Sequence, residues 1–427
     1  MSARRIEKVS FRTRRVALFD QLGPGLVTGA ADDDPSGIAT YSQAGAQFGF
    51  SLLWTLLLTY PLMSAVQLVS AHIGRVTGQG LARNMRSLLW APAVNMLVGL
   101  LFIANTINIG ADIAAMGEAG ELVTGISGHI FTIAFAIGSL LLQLYVPYHR
   151  YARLLKWLTL SLFAYVALAL ILKLDWAAVL HGLFWPRIAG QDAVVTIVAI
   201  FGTTISPYLF FWQSAQEVED IALHPEARPL IDAPSQAESE FSRMRIDTWF
   251  GMAISNIVAL AIMIGTAATL HSAGMTSIET AADAARALEP VAGHFALLLF
   301  SIGIIGTGLL AVPVLAGSAA YAVSETQGWR ASLERRPKEA TGFYAVIAAA
   351  TVLGIVIDWS PLDPIKALFW SAVINGVVAV PLMMAMMIIV SRHRIMGKFT
   401  ATPGLLISGW LATALMGAAA CALILVR

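Results

Sequence analysis

Two stretches of this chain set polar, chemically capable residues between long apolar flanks. Residues 23–49 read GPGLVTGAADDDPSGIATYSQAGAQFG, in which Asp32, Asp33 and Asp34 run straight into Pro35, Ser36 and Gly37. Residues 196–213 read TIVAIFGTTISPYLFFWQ, with Gly202, Thr203, Thr204, Ile205, Ser206 and Pro207 at the centre. Carboxylates and hydroxyls are hard oxygen donors, and the chemistry they offer together is the holding of a cation. A charged side chain at mid-bilayer costs roughly 3 kcal/mol or more, so an aspartate in such a setting is a functional candidate by default. Asp34, next to the proline, is the first candidate; Asp32 and Asp33 either face a vestibule or cap a half-helix. Asp112 and Glu118 lie in NIGADIAAMGEAGE (108–121), Asp112 the deeper and a candidate for an ion path, Glu118 nearer an interface. The eight histidines all fall at segment ends or in loops, which leaves no mid-segment imidazole for a proton relay.

The elements that must position these groups follow from composition. Of 427 residues 57% are hydrophobic and 12% charged, with a mean hydropathy of +0.73. A soluble domain carries about 25% charged residues. So few charges cannot cover a water-soluble surface, and a net charge of +1 offers little to a nucleic acid. A soluble enzyme, a disordered scaffold and a nucleic-acid binder are therefore excluded, and an all-α polytopic membrane protein remains. Cys421 is the only cysteine, which rules out a disulfide framework and a cysteine-based zinc or iron–sulfur site. The opening MSARRIEKVSFRTRR is basic and has no small-residue cleavage site after it, so residues 1–20 read as a cytoplasmic tail.

A spanning helix needs about 20 mostly apolar residues, because lipid offers no partner to bare backbone groups. Eleven segments qualify, near 21–48, 50–71, 93–118, 128–147, 154–174, 192–213, 248–271, 292–322, 341–358, 364–390 and 404–426. Together they make a single membrane domain over 21–426. The longest polar interruption, 214–247, is acidic and proline-punctuated and reads as a loop, with Glu217, Glu219 and Asp220 on a solvated helix end. Eleven crossings place 22 of the 27 Lys and Arg residues on the side of the N-terminal tail, leaving only Lys173, Arg187, Arg286, Lys366 and Arg427 opposite. By the positive-inside rule the N-terminus is cytoplasmic and the C-terminus outside, in a bacterial inner (plasma) membrane.

Spans one and six should both be broken. Proline removes a backbone donor and clashes with the preceding turn, and neighbouring glycine lowers the cost of unwinding. Carbonyls freed at mid-membrane are tolerated only where they line a cavity or are buried in protein. Breaks in spans one and six are separated by a five-span unit. That is the pattern of an inverted-repeat transporter, with repeat one over about 21–174, repeat two over about 192–390 and an extra span at 404–426.

With DPSG in span one, ISPY in span six, eleven spans and an acid in span three, the chain resembles the NRAMP family of divalent-metal transporters over nearly its whole length. The resemblance implies a LeuT-like fold. The family's usual motifs are DPGN and MPH, which supply a carboxylate, an amide oxygen, a thioether and two helix-break carbonyls. Carried across by position, the carboxylate is Asp34, the amide position is Gly37, the thioether position is Ser206, and the carbonyls are those of Ala31 and Thr203. Tyr208 stands at the family's histidine. Asp33, Thr204, Tyr208, Asp112 and Asn375 follow as second-shell or ion-path candidates, Asn375 as the only amide of span ten.

These departures leave a set of hard oxygen donors without the soft thioether, and the loss of the amide side chain suggests a wider cavity. Mg²⁺ dehydrates reluctantly and binds through one or two carboxylates while keeping several waters. The variant motifs look like those of the divergent NRAMP-related magnesium transporters, which makes Mg²⁺ the first expected substrate and Mn²⁺ the second. No resident cofactor is implied; the metal is cargo, and the other partner is the bilayer. Typical members are proton symporters that use an acid pair in span three and the histidine of span six. Here Ala115 stands where the second acid would be and Tyr208 replaces the histidine, so uncoupled import is expected. The alternative is a proton-coupled Mn²⁺/Fe²⁺ symporter. A LeuT-like amino-acid transporter is more distant, since Asp34 would repel a substrate carboxylate. An intramembrane aspartyl hydrolase would need Asp34 and Asp112 to pair, and no catalytic motif surrounds either.

Overall fold

The computed structural model describes residues 28–29, 31–147, 150, 158–188, 190–359 and 363–426. The basic tail, the start of span one, and Arg153 and Lys156 lie outside the described residues. Among those described there is no strand. The helices of eight residues or more are α1 (Pro35–Phe48), α2 (Leu53–Thr77), α3 (Leu81–Leu88), α4 (Ala91–Thr124), α5 (Gly128–Tyr145), α6 (Phe163–Ile171) and α7 (Trp176–Phe184). They continue with α8 (Gly190–Thr204), α9 (Pro207–Leu223), α10 (Ala237–Thr266), α11 (Ala296–Gln327), α12 (Thr341–Asp358), α13 (Pro364–Ser391) and α14 (Pro403–Val426).

Eight helical stretches among the described residues are long and apolar enough to cross a membrane, or nine if the pair bent by 119° at α6 and α7 is one span. The eleven segments expected from the sequence are thus not matched one for one. Part of the difference is that continuous stretches merge neighbours. Pro35–Thr77 runs for 43 residues, while about 20 residues suffice for one crossing. Its two halves, α1 and α2, meet at a short 3₁₀ turn (Gly49–Leu52) that opens on Gly49 at φ 57, a backbone angle that favours glycine.

Large apolar side chains fill the core of the bundle, and glycines set its closest helix crossings. α4 packs on α5, α11, α12 and α13, and α8 lies along α13. Where α8 and α13 cross, a Cβ on Gly202 would stand 2.5 Å from the backbone nitrogen of Gly376, so only glycine lets the two backbones meet. Gly29 presses on α10 in the same way: a Cβ there would collide with the carbonyl group of Gly251.

The polar interruption after span six is much shorter than 214–247. α9 runs on to Leu223 and α10 begins at Ala237. The acids on the end of α9 are paired rather than solvated. Glu217, with a fully buried side chain, accepts from Arg243 at 2.6 Å. Buried Arg75 of α2 reaches Asp220 at 2.8 Å and Glu240 at 3.0 Å. Glu219 accepts from the Tyr321 hydroxyl at 2.8 Å. Charges that find partners can continue a helix that unpaired charges would end.

Candidate functional site

The two helix breaks obey one rule. Pro35 and Pro207 each open a helix, and proline pushes the residue before it out of the helical region. Asp34 is accordingly extended (φ −70°, ψ 169°), and so is Ser206 (φ −77°, ψ 131°). Because proline has no N–H, the carbonyl four residues upstream loses its helical donor. Those carbonyls belong to Ala31 and Thr203. The Tyr208 hydroxyl reaches the Ala31 oxygen at 2.9 Å. The Ser206 hydroxyl stands 2.9 Å from the Thr203 oxygen and 2.8 Å from that of Gly202.

Asp34 joins the breaks. Its Oδ1 caps α1, accepting the Gly37 N–H at 2.8 Å and the Ser36 hydroxyl at 2.6 Å. Its Oδ2 faces Asn108 Nδ2 of α4 and the Tyr208 hydroxyl of α9, each at 3.2 Å. Tyr208 has one proton to give, so it serves either Ala31 or Asp34 at a given moment. Asn108 Oδ1 in turn lies 2.6 Å from the Ser371 hydroxyl of α13. The Ser36 and Thr203 hydroxyls are 3.5 Å apart and close the ring between the two breaks. Two other helices, α4 and α9, therefore meet at one carboxylate oxygen of Asp34, α13 joins them through Asn108, and every residue named is buried.

Asp34, Ala31, Thr203, Ser206 and Tyr208 are thus brought together. Gly37 is also adjacent, but the wider cavity expected from its missing side chain is absent. A Cβ there would sit 3.3 Å from Thr203 Oγ1 and 3.3 Å from the Tyr41 ring, so packing has consumed the space. Thr204 turns away and donates to the Ile200 carbonyl of its own helix at 2.8 Å. Asp33 faces neither a vestibule nor the cap position. It and Asp32 meet Ser255 of α10, whose hydroxyl lies 2.6 Å from Asp32 Oδ2 and 3.1 Å from Asp33 Oδ1. Asp112 is fully buried, with no hydrogen-bond partner on either oxygen. Asn375, proposed as the amide of α13, is buried with both polar side-chain atoms unpaired, and the contact from α13 comes one turn earlier, from Ser371. Asn108 and Ser255 were not singled out in the sequence. Asn108 had a signal, since it sits four residues before Asp112 and so shares its helix face; Ser255 had none.

Among the described residues, Asp32, Asp33, Asp34 and Asp112 form no ion pair with a basic side chain. A cluster of buried carboxylates with no basic partner lacks a counter-charge, which a bound cation would supply. No group of three or more His, Cys, Asp or Glu is placed to hold a metal among the described residues. Any metal bound here must take carbonyl, hydroxyl or amide oxygens beside Asp34.

Buried oxygen donors at the meeting point of two broken helices define a class: all-helical integral membrane proteins with the LeuT-like fold. The match to solved structures agrees. The crystal structure of the Eremococcus coleocola manganese transporter in complex with an aromatic bis-isothiourea substituted compound superposes with a TM-score of 0.73 at 18% identity, covering 94% of this chain and 85% of that one. Mhp1, a nucleobase-cation-symport-1 family transporter, matches in a closed conformation with a TM-score of 0.54 at 14% identity, over 95% of this chain and 92% of that one. More narrowly, the chain belongs to the Nramp family: the model for "Natural resistance-associated macrophage protein-like" proteins matches residues 25–426. A divalent metal cation transporter MntH of Klebsiella pneumoniae (strain 342) is 27% identical over 432 residues, 97% of this chain and 96% of that protein. The MntH of Aeromonas hydrophila subsp. hydrophila is 30% identical over 298 residues, 67% of this chain and 69% of that protein.

Proposed function

We propose that this chain carries divalent metal cations across a membrane by alternating access, with the cation held at Asp34. The observation behind this reading is the Tyr208 hydroxyl, which bridges Asp34 Oδ2 and the Ala31 carbonyl that Pro35 strips of its donor, while the second break, with its own orphaned carbonyl at Thr203, is joined to the first by the Thr203 and Ser36 hydroxyls. The internal hydrogen bonds that now satisfy these oxygens are what a cation would replace. Ser206, Gly37 and Thr203 border the same point. Asp33, Asp112 and Tyr208 are the outer groups.

Manganese is the substrate that the relatives' names support, and it is the first reading. A specific feature favours Mg²⁺ as a second: every side-chain donor around Asp34 is a hydroxyl or an amide, with no thioether or imidazole. Oxygen-only sets suit hard ions. That set also fits membership of the magnesium-transporting branch. Proton coupling goes with the manganese reading as part of what the family resemblance implies. The replacement of histidine by Tyr208 and of an acid by Ala115 supports the opposite, uncoupled reading. A doubly charged ion gains about 2.3 kcal/mol per charge per 100 mV, which suffices to drive uptake without protons. The topology that goes with either is eleven crossings, the N-terminus cytoplasmic and the C-terminus outside.

Proteoliposomes loaded with metal- and pH-sensitive dyes test all of this. Uptake of Mn²⁺ or Mg²⁺ in competition with Ca²⁺ and Cd²⁺ is expected. A lumen that acidifies with metal entry selects the coupled reading, and a silent pH dye selects the uncoupled one. No flux of any divalent ion would overturn the proposal.

A further inference from the structure

We propose that Asn108 turns its side-chain amide over when the cation binds and gives it a carbonyl oxygen, supplying from α4 the amide ligand that Gly37 cannot. The inference rests on the reading of Asp34 as the metal site. In the present arrangement Asn108 is fully buried and spends both ends of its amide: Nδ2 donates to Asp34 Oδ2 at 3.2 Å, and Oδ1 accepts from the Ser371 hydroxyl at 2.6 Å. A cation on Asp34 Oδ2 cannot tolerate an N–H aimed at the same point. The amide must then withdraw or invert.

The surroundings are built for inversion. Ser371 has a second acceptor within reach, the Leu368 carbonyl at 2.7 Å. If the Ser371 proton swings to Leu368, its oxygen becomes free to accept the Asn108 N–H. The inverted amide then keeps one good hydrogen bond and points its oxygen at the cation, with no buried polar group orphaned. Tyr208 must yield in the same exchange, because its hydroxyl reaches both Asp34 Oδ2 and the Ala31 carbonyl that the cation would take. The other route to an amide oxygen, a side chain at position 37, is absent from this chain, and a Cβ there would press on Thr203 and Tyr41 at 3.3 Å. Asn375 is no substitute, since the groups within hydrogen-bond distance of Asp34 come from Ser36, Gly37, Asn108 and Tyr208. Because Ser371 belongs to α13, the inversion also ties ion binding to a helix outside the two breaks.

The experiment is metal binding to the purified full chain in nanodiscs, with Mn²⁺ and with Mg²⁺, joined to infrared difference spectra of protein carrying ¹³C-asparagine. The expected results are a side-chain amide C=O band that shifts on metal addition, its loss in Asn108→Leu, and at least tenfold weaker binding in that variant. Ser371→Ala keeps Asn108 but removes the group that would accept its turned N–H; about threefold weaker binding is expected, with the band displaced. If Asn108→Leu fails to fold, the spectrum of the unmodified chain and the Ser371→Ala titration still decide. An amide band that ignores both metals overturns the inference, as does unchanged affinity in a folded Asn108→Leu. Asp34→Ala separates the two levels. Loss of binding there with no effect at Asn108 overturns this inference alone, whereas retained binding in Asp34→Ala overturns the metal-site reading beneath it.

Discussion

The two helix breaks are twins in backbone and strangers in chemistry. Each is a proline at the start of a helix, an extended residue before it and an orphaned carbonyl four residues upstream. At the second break the orphan is satisfied within its own turn, by the Ser206 hydroxyl. At the first it is satisfied from another helix, by Tyr208, and the extended residue is a carboxylate that also reaches Asn108. The same local rule therefore yields a self-contained break at Ser206 and a dependent one at Asp34. A ligand that replaces hydrogen bonds at the dependent break must disturb α4 and α9 as well. At the other break it disturbs one hydroxyl.

The largest asymmetry should appear on removing the charge. Asp34→Ala deletes the charged ligand and the cap of α1 together. Loss of a buried charged partner costs about 2–5 kcal/mol, so metal binding should fall about a hundredfold or more and flux should vanish. Binding isotherms in nanodiscs with Mn²⁺ and Mg²⁺ check this, and wild-type affinity would remove Asp34 from the site. Tyr208→Phe should act next most strongly, and in the opposite direction. Without the hydroxyl the Ala31 carbonyl is buried and unsatisfied in the metal-free protein, at a cost of about 1–3 kcal/mol. A cation bound there relieves that cost. The variant should melt earlier without metal and bind metal about tenfold more tightly, with the melting gap closing as metal is added. Equal destabilisation with and without metal would show that the Tyr208 hydroxyl does not compete with the ion.

How much of this was open to reading before the fold was known depends on whether the signal was local. Pro35 and Pro207 announce their breaks because proline acts on its own chain neighbours, and the low charge content announces a membrane protein in the same way. Asp34 was legible because a carboxylate beside a break is rare and costly. Asn108 was only half legible: its spacing to Asp112 puts both on one helix face, but which face meets Asp34 is decided by how α4 packs. The pairing of Ser255 with Asp32 and Asp33 across more than 220 residues was not legible at all. Nor was the extension of α9 past its acids, since the compensating Arg75 and Arg243 lie on other helices. The wider cavity inferred from Gly37 failed for the same reason. A missing side chain leaves space only if nothing packs into it, and Thr203 and Tyr41 do.

That last point decides how the self-contained break should be tested. Restoring the family's amide and thioether together, as Gly37→Asn with Ser206→Met, combines two unlike changes. At Gly37 the new Cβ would press on Thr203 and Tyr41 at 3.3 Å, and overpacking of this kind costs about 1–3 kcal/mol. A loss of transport in the double variant would then report strain rather than selectivity. Ser206→Met alone is the sharper test. Ser206 is bonded only within its own turn, so its removal leaves Asp34, Asn108 and Tyr208 in place. A thioether at this position adds one soft ligand to a set of hard oxygens, and soft ligands favour Cd²⁺ over Mg²⁺. The expected effect is the smallest of the three: a few-fold gain for Cd²⁺ and Mn²⁺ relative to Mg²⁺ in competition flux, with total Mg²⁺ affinity nearly kept. An unchanged ratio would mean that the second break holds the ion through its backbone alone, and that selectivity resides entirely at the first.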